Sequence, residues 1–145
     1  MKEFMASAPW LLALTAGFLA QVSKFLAHLI ITRRLNFTRL VATGGMPSAH
    51  SASVAALTTG VAFREGFHST LFAVTLFFSL VIMYDAAGLR RAASNQARVL
   101  NRIIEDSYAH ESHIPERLSE LLGHTPFEVF VGAALGVLYG LIWYL

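Results

Sequence analysis

The chain of 145 residues contains no cysteine and few charged residues. Without cysteine, neither a disulfide framework nor a thiolate metal site can form, and the redox compartment cannot be inferred. Asp, Glu, Lys and Arg make up 14% of the chain, hydrophobic residues make up 55%, and the mean hydropathy is +0.56. A soluble domain usually has about 25% charged residues. The composition therefore predicts a membrane protein.

The chain also lacks dense runs of basic residues. Its net charge is +2 and its pI is near 9.3. This dispersed positive charge fits an anionic membrane surface better than nucleic acid, so we expect no nucleic-acid partner. No internal repeat or low-complexity segment is evident. We predict one transmembrane domain over residues 1–145.

Four stretches predict transmembrane helices, because about 20 apolar residues suffice to span a bilayer. The first begins like a signal peptide, but Glu3 and the continuation of apolar residues past Lys24 predict that it is retained. The second is rich in small residues, which suits the interior of a bundle. The predicted fold class is an all-α polytopic membrane bundle, with helices at about 9–32, 47–63, 69–87 and 126–145.

The polar stretch 88–123 lies between the third and fourth predicted spans. In it Arg98 and Arg102 interleave with Leu100 and Ile103 at helical spacing, which predicts an interfacial helix on the membrane. A solvated charged helix is the alternative, because acidic residues balance these arginines.

The last predicted helix carries small residues at every fourth position. This stripe, typical of close helix contacts in membranes, predicts either a packing face or the seam of a homodimer. Its residues are Gly132, Gly136 and Gly140.

The distribution of basic residues predicts the orientation. The loops 33–46 and 88–123 hold three and five Lys or Arg residues, whereas the opposite side holds Lys2 and Arg64. The positive-inside rule therefore predicts both loops in the cytoplasm and both termini outside, in the plasma (inner) membrane. Arginines retained to bind phosphate would bias this count in the same direction.

A glycine-opened turn before the second helix predicts an anion site. Gly44 and Gly45 allow a left-handed backbone, and Pro47 suits the first helical position. The N–H groups of a helix N-terminus bind anions, and His50 beside them is placed to transfer a proton. The alternative is a plain loop, with His50 a polar residue near the membrane surface.

Four predicted spans bring other titratable residues to the same end of the bundle. Lys24 lies late in the first helix, Asp85 ends the third, and His124 and Glu128 begin the fourth. Ionisable residues within spans usually face a polar cavity, although Lys24 has the alternative of snorkelling to the surface. Convergent titratable groups indicate catalysis, and ion-pair networks give the same pattern.

These residues carry a family resemblance. The motif Pro47-Ser48-Ala49-His50 resembles the Pro-Ser-Gly-His motif of the type 2 phosphatidic acid phosphatase superfamily, which includes vanadium haloperoxidases. His124 and Glu128 match its later His-x-x-x-Asp motif, with Glu for Asp. The segments 44–52, 84–88 and 122–126 together resemble a divergent branch of small membrane proteins, and the resemblance extends from Gln21 onward.

The resemblance implies a lipid phosphate phosphatase acting on a phosphate monoester or pyrophosphate of a phospholipid or isoprenoid. His124 would be the nucleophile, Glu128 would orient it, and His50 would protonate the leaving oxygen. No metal or cofactor is expected. Phosphoryl transfer then depends on positioning and charge stabilisation, which suits such a set of side chains.

Phosphate binding is also implied by the resemblance. Lys24 and the backbone amides of Ser48 and Ala49 would hold the phosphate. The superfamily's two arginine positions are occupied here by Ile31 and Leu118. The arginines that compete for their role are Arg33, Arg34, Arg39, Arg90 and Arg91, and the supporting residues are Gly44, Gly45 and Asp85.

Several alternatives stay open. Thr125-Pro126-Phe127-Glu128 is a capping-box sequence, so Glu128 has a structural role available beside the catalytic one. A non-catalytic protein that binds anionic lipid headgroups would use the same basic face. A metal-dependent phosphatase using Asp85 and Glu128 is a further alternative. Haloperoxidase activity is not expected, because nothing in the sequence indicates a vanadate site.

Overall fold

In a computed structural model the chain is helical throughout most of the part described, which comprises residues 8–35, 45–107, 118 and 124–144, with 89–91 described as backbone only. The predicted all-α fold class is confirmed. The helices are α1 (Pro9–Thr32), α2 (Ala49–Glu65), α3 (Thr70–Ala87), α4 (Leu89–Ser107) and α5 (Pro126–Tyr144).

Three helical stretches of the described chain are long and apolar enough to cross a membrane, namely Pro9–Thr32, Thr70–Ser107 and Pro126–Tyr144. The second of these combines α3 with α4. The predicted fourth span, α2, has 17 residues and lower hydrophobicity. At about 1.5 Å per residue it is about 25 Å long, close to the lower limit for a span. The protein is therefore a membrane helical bundle in which α2 is the shortest of four packed helices.

Helix α2 lies at the centre of the bundle and contacts α1, α3 and α5. Its Gly60 lies beside Pro9 and its Ser53 beside Gly17, so α1 runs antiparallel to it. The chain order makes α3 antiparallel as well, and α5 runs parallel to α2. The end of α1, the start of α2, the end of α3 and the start of α5 consequently meet at one end of the bundle, which we call the site end.

The glycine stripe of α5 packs against α2 of the same chain. All three glycines are buried, and added Cβ atoms at Gly132 and Gly136 would collide with the backbone of Ser48 and Ala52. At Gly140 an added Cβ would meet the Thr59 side chain. The predicted homodimer through this stripe is thus corrected, because the close approach of α2 already occupies it.

The start of α2 differs from the prediction by two residues. Pro47 precedes the helix, and Ser48 is the N-cap. The Ser48 Oγ accepts hydrogen bonds from the Ser51 backbone N–H at 3.4 Å and from the Ser51 hydroxyl at 3.0 Å. A serine side chain satisfies the first-turn amides better than proline can, so the helix begins after Ser48.

Helix α4 follows α3 after Gly88 and is amphipathic, as its sequence spacing predicts. Ala97 and Asn101 are buried, whereas Leu100 and Ile103 are exposed. The Asn101 side chain donates to the Leu118 carbonyl at 2.9 Å and accepts from the Leu118 N–H at 2.8 Å. This amide therefore ties the chain that precedes α5 to α4.

Candidate active site

The site end is centred on the N-terminus of α2. Backbone N–H groups at a helix start carry the positive end of the helix dipole and attract anions. The Ala49 and His50 amides, in the first turn of α2, have no acceptor among the described residues. The Ser48 amide does not share this role. It donates to the Glu128 carbonyl at 3.2 Å, which corrects the prediction that it holds phosphate.

His124 is fixed from two directions just before α5 begins. Its backbone N–H donates to the Ala86 carbonyl at the end of α3, at 3.3 Å. Its ring Nδ1 lies 3.1 Å from Glu128 Oε2. The residue is only 4% exposed. Because Nδ1 is engaged, Nε2 is the ring nitrogen left for chemistry.

Glu128 caps α5 and holds His124 at the same time. Its Oε2 accepts from the Thr125 backbone N–H at 3.1 Å, and its own N–H donates to Thr125 Oγ1 at 3.3 Å. This reciprocal pair is a capping box. The same Oε2 contacts the His124 ring. The structural role and the orienting role predicted for Glu128 are therefore compatible, because a single carboxylate oxygen serves both.

Burial lowers the pKa of His124 below its ordinary value of 6.5. The hydrogen bond to Glu128 and its negative charge act in the opposite direction and raise the pKa, whereas the positive charges of Lys24 and His50 lower it. The net effect favours the neutral ring near pH 7. A neutral imidazole is the form that has a free electron pair for nucleophilic attack.

Lys24 enters the site end from α1. It is 7% exposed, and its Nζ donates to Gln21 Oε1 at 3.2 Å. Its aliphatic carbons lie close to Gly45, which has a φ of +80°. This left-handed conformation favours glycine, and a Cβ atom added there would be in van der Waals contact with the lysine side chain. The buried ammonium thus lies near the start of α2 rather than at the surface.

His50 lies on the first turn of α2 and is exposed. Its side chain makes no hydrogen bond with the residues that the structure describes. Its positive charge contributes to lowering the pKa of His124. The structure therefore brings Lys24, His50, His124 and Glu128 to the same end of the bundle.

Three other predicted residues have exposed side chains. Arg33 and Arg34 are exposed at the end of α1. Arg33 follows Lys24 by nine residues, which is about 13 Å along a helix axis. Asp85 is also exposed. The predicted residues that lie outside the described part, by their backbone or by their side chains, are Arg39, Gly44, Arg90 and Arg91.

A metal site of the predicted kind is not formed by the described part of the chain. Within it, no three side chains of His, Cys, Asp or Glu are grouped as a metal would require. Glu128 is engaged by Thr125 and His124, and Asp85 is exposed. The metal-dependent alternative consequently gains no support from these residues.

Two contacts that hold the chain before α5 were not predicted from the sequence. One is the Ala86 carbonyl, which holds the backbone of His124. The other is Asn101, whose amide holds Leu118 six residues before His124. Ala86 lies within segment 84–88, which resembles the divergent family, so the sequence does mark this position as one of interest. Asn101 gives none, because an asparagine in a polar helix is ordinary.

The fold and site together define a small helical membrane protein with a histidine–carboxylate pair at a helix N-terminus. The chain belongs to the divergent PAP2 family, whose model matches residues 5–139. It is 42% identical over 151 aligned residues to the uncharacterized membrane protein YuiD of Bacillus subtilis (strain 168), covering 97% of this chain and 96% of that protein. No solved structure matches the chain.

Proposed function

We propose that the protein is a phosphohydrolase that removes phosphate from a phosphate monoester or pyrophosphate of a membrane lipid, with His124 as the nucleophile. The observation that carries the proposal is the bond between His124 Nδ1 and Glu128, which directs Nε2 toward the reaction. A histidine oriented by a carboxylate is the arrangement that activates this ring in many enzymes.

The reaction proceeds in two steps. His124 Nε2 attacks phosphorus, and the bond from phosphorus to the leaving oxygen breaks while that oxygen takes a proton from His50. A water molecule then attacks the phosphohistidine, the phosphorus–nitrogen bond breaks, and His50 takes a proton from the water. Glu128 stabilises the positive charge on the phosphorylated ring. The products are a lipid alcohol, or a lipid monophosphate from a pyrophosphate, and inorganic phosphate.

The phosphate is held by the start of α2 and by Lys24. The Ala49 and His50 amides point out of the first turn of α2, and the buried Lys24 adds a positive charge nearby. Such preorganised donors stabilise the charge on the equatorial oxygens, which is the largest part of phosphoryl-transfer catalysis. Three arginines are proposed to complete the site: Arg39, which lies outside the described residues, and Arg90 and Arg91, whose side chains lie outside them.

The site end is proposed to face the cytoplasm, with both termini outside the plasma (inner) membrane. The basis is the excess of Lys and Arg in the two loops at this end. A cysteine introduced within 88–123 should resist a membrane-impermeant thiol reagent added to intact cells. Labelling by the reagent from outside the cell would show that the site end faces outward and would contradict the proposed orientation.

The test is phosphate release by the purified protein from a panel of lipid phosphates and pyrophosphates. The His50→Ala and His124→Ala variants are assayed in parallel, with thermal unfolding as the check that each variant is folded. We expect release by the parent, which disappears in His124→Ala and falls strongly in His50→Ala. No release from any substrate by the folded parent, with retained binding to anionic vesicles, would support a headgroup-binding protein instead.

A further inference from the structure

Three sides of α2 are assigned by its contacts with neighbouring helices. The side toward α5 carries Ser48, Ala52 and Thr59. At about 100° per residue, the side that contacts α1 lies about a quarter turn away, with Ser53 and Gly60. Thr58 contacts Ser79 of α3 and lies about a quarter turn away in the other direction.

The fourth side of α2 points away from α5 and carries His50 and Leu57. It lies between α1 and α3, which pack along α2 but not along one another. His50 is exposed and Leu57 is half-buried. Val61, one turn beyond Leu57, is only 6% exposed. This side of α2, between α1 and α3, is here called the α1/α3 groove; it runs from the exposed His50 to the buried Val61.

The α1/α3 groove begins at the site end of the bundle, with His50 at its open end. Its walls belong to two apolar membrane-spanning helices, so its surroundings are hydrocarbon. His50, at its open end, lies on the first turn of α2, where the phosphate is proposed to bind. From His50 to Val61 the helix rises about 16 Å, a length comparable with one long acyl chain.

We propose that the α1/α3 groove binds a hydrocarbon chain of the substrate while the phosphate lies at the start of α2. The proposal rests on the proposed phosphohydrolase activity and specifies its substrate as a lipid that reaches the site from within the bilayer. Apolar burial along the groove supplies binding energy away from the reacting atoms. Long-chain phosphates are therefore better substrates than short-chain ones with the same headgroup.

Filling the groove tests this preference. Leu57→Trp places a large ring on the groove floor, and Leu138→Trp is the matched control on an exposed part of α5. The substrates are dipalmitoyl and dibutyroyl phosphatidic acid in the same detergent. We expect the ratio of kcat/KM for the long chain to that for the short chain to fall about tenfold in Leu57→Trp, and to stay at the parent value in Leu138→Trp. An unchanged ratio in both variants would overturn the proposal.

Photocrosslinking of the parent protein tests the groove without a variant and without turnover. A phosphatidic acid with a diazirine in its acyl chain is irradiated with the protein, and the labelled residues are mapped by mass spectrometry. We expect labelling of Leu57 and its neighbours above that of Leu138, and competition by unlabelled dipalmitoyl phosphatidic acid. Uniform labelling of all lipid-exposed residues would contradict the groove. Specific labelling without phosphate release would retain the groove and reject the phosphohydrolase.

Discussion

Helices α2 and α3 are neighbours with opposite properties. Helix α2 is weakly hydrophobic and has eight buried residues, whereas the strongly apolar α3 has two, Ser79 and Ala86. Large apolar side chains of α3 such as Phe77 are exposed at 64%. In a soluble protein the more hydrophobic helix would be the more buried one. In a bilayer, hydrophobicity marks contact with lipid, and close helix packing depends on small residues.

The difference in burial between α2 and α3 also explains which helix can carry the polar groups of the candidate active site. A helix surrounded by other helices can carry hydroxyl groups and a polar N-terminus, because neighbouring groups satisfy them. The start of α2 receives the Glu128 carbonyl from α5 and lies near Lys24 from α1. Helix α3 contributes the Ala86 carbonyl at its end and a lipid-facing surface along its length.

The largest expected effect comes from separating α5 from α2. In Gly136→Leu the side chain would displace the backbone of Ala52, which has no free rotation to relieve the contact. We expect loss of stability at or above the usual cost of overpacking, about 3 kcal/mol. Thermal unfolding in detergent measures it, with Val137→Leu, an exposed position on α5, as control. Equal unfolding temperatures for parent and Gly136→Leu would show that α2 is not closely packed.

The next largest effect is expected on kcat when the Glu128 carboxylate is replaced. Glu128→Gln keeps an oxygen that can cap α5 but removes the charge beside His124. We expect kcat to fall by about a hundredfold or more, since the carboxylate orients and charges the ring, with little change in unfolding temperature. A parent-like kcat would leave Glu128 with a capping role alone.

The same variant should shift the acidic limb of the pH–rate profile. Activity requires neutral His124, so it falls as the pH drops through the pKa of this group, which lies below 6.5 in the parent. Glu128 raises that pKa, so the limb should move to lower pH in Glu128→Gln. Residual activity measured across the acidic range checks the direction. A shift to higher pH would contradict the assignment of the limb to His124.

A smaller effect is expected on the pH dependence of stability. Because burial holds the pKa of His124 below 6.5, the unfolded chain binds this proton more readily than the folded protein does. The contribution of His124 to the free energy of unfolding is fully present above pH 6.5. It is lost as the pH falls through the pKa of His124 in the folded protein. Unfolding temperatures of parent and His124→Ala should therefore converge on acidification. A difference independent of pH would exclude this coupling.

The smallest expected effect is on the hydroxyl pair between α2 and α3. Ser79 Oγ lies 2.7 Å from Thr58 Oγ1 and donates to the Val54 carbonyl at 3.2 Å. Thr58→Val should cost about 0.6 kcal/mol, the average for hydrogen bonds between membrane helices. Thr75→Val is the control, because that hydroxyl bonds only within α3. A loss above about 2 kcal/mol would make α3 a stronger partner of α2 than its exposure indicates.

Much of the bundle was predictable because lipid-facing helices carry a strong sequence signal. The long apolar runs predicted α1, α3 and α5, and the small residues of α2 predicted an interior helix. The glycine stripe predicted close packing, but glycine spacing cannot say whether the partner belongs to the same chain. The structure resolves this through Ser48 and Ala52, which lie against Gly132 and Gly136.

At the site, the helix order predicted the shared location of Lys24, His50, His124 and Glu128. The sequence could not distinguish which backbone amides are available. Pro47 suggested an earlier helix start, and nothing local indicated that the Ser48 amide bonds to Glu128. The contact of Asn101 with Leu118 joins residues 17 positions apart, so it depends on tertiary structure.

The most direct test of the central claim is detection of phosphate on His124. The parent and His50→Ala are mixed with a lipid phosphate, quenched at alkaline pH where phosphohistidine survives, and mapped by mass spectrometry. We predict phosphorylation at His124 of the parent. More phosphohistidine accumulates in His50→Ala if this variant slows hydrolysis of the phosphohistidine more than it slows formation of the phosphohistidine. Phosphate release that persists undiminished in His124→Ala, with no phosphate on His124 of the parent, would contradict the histidine nucleophile.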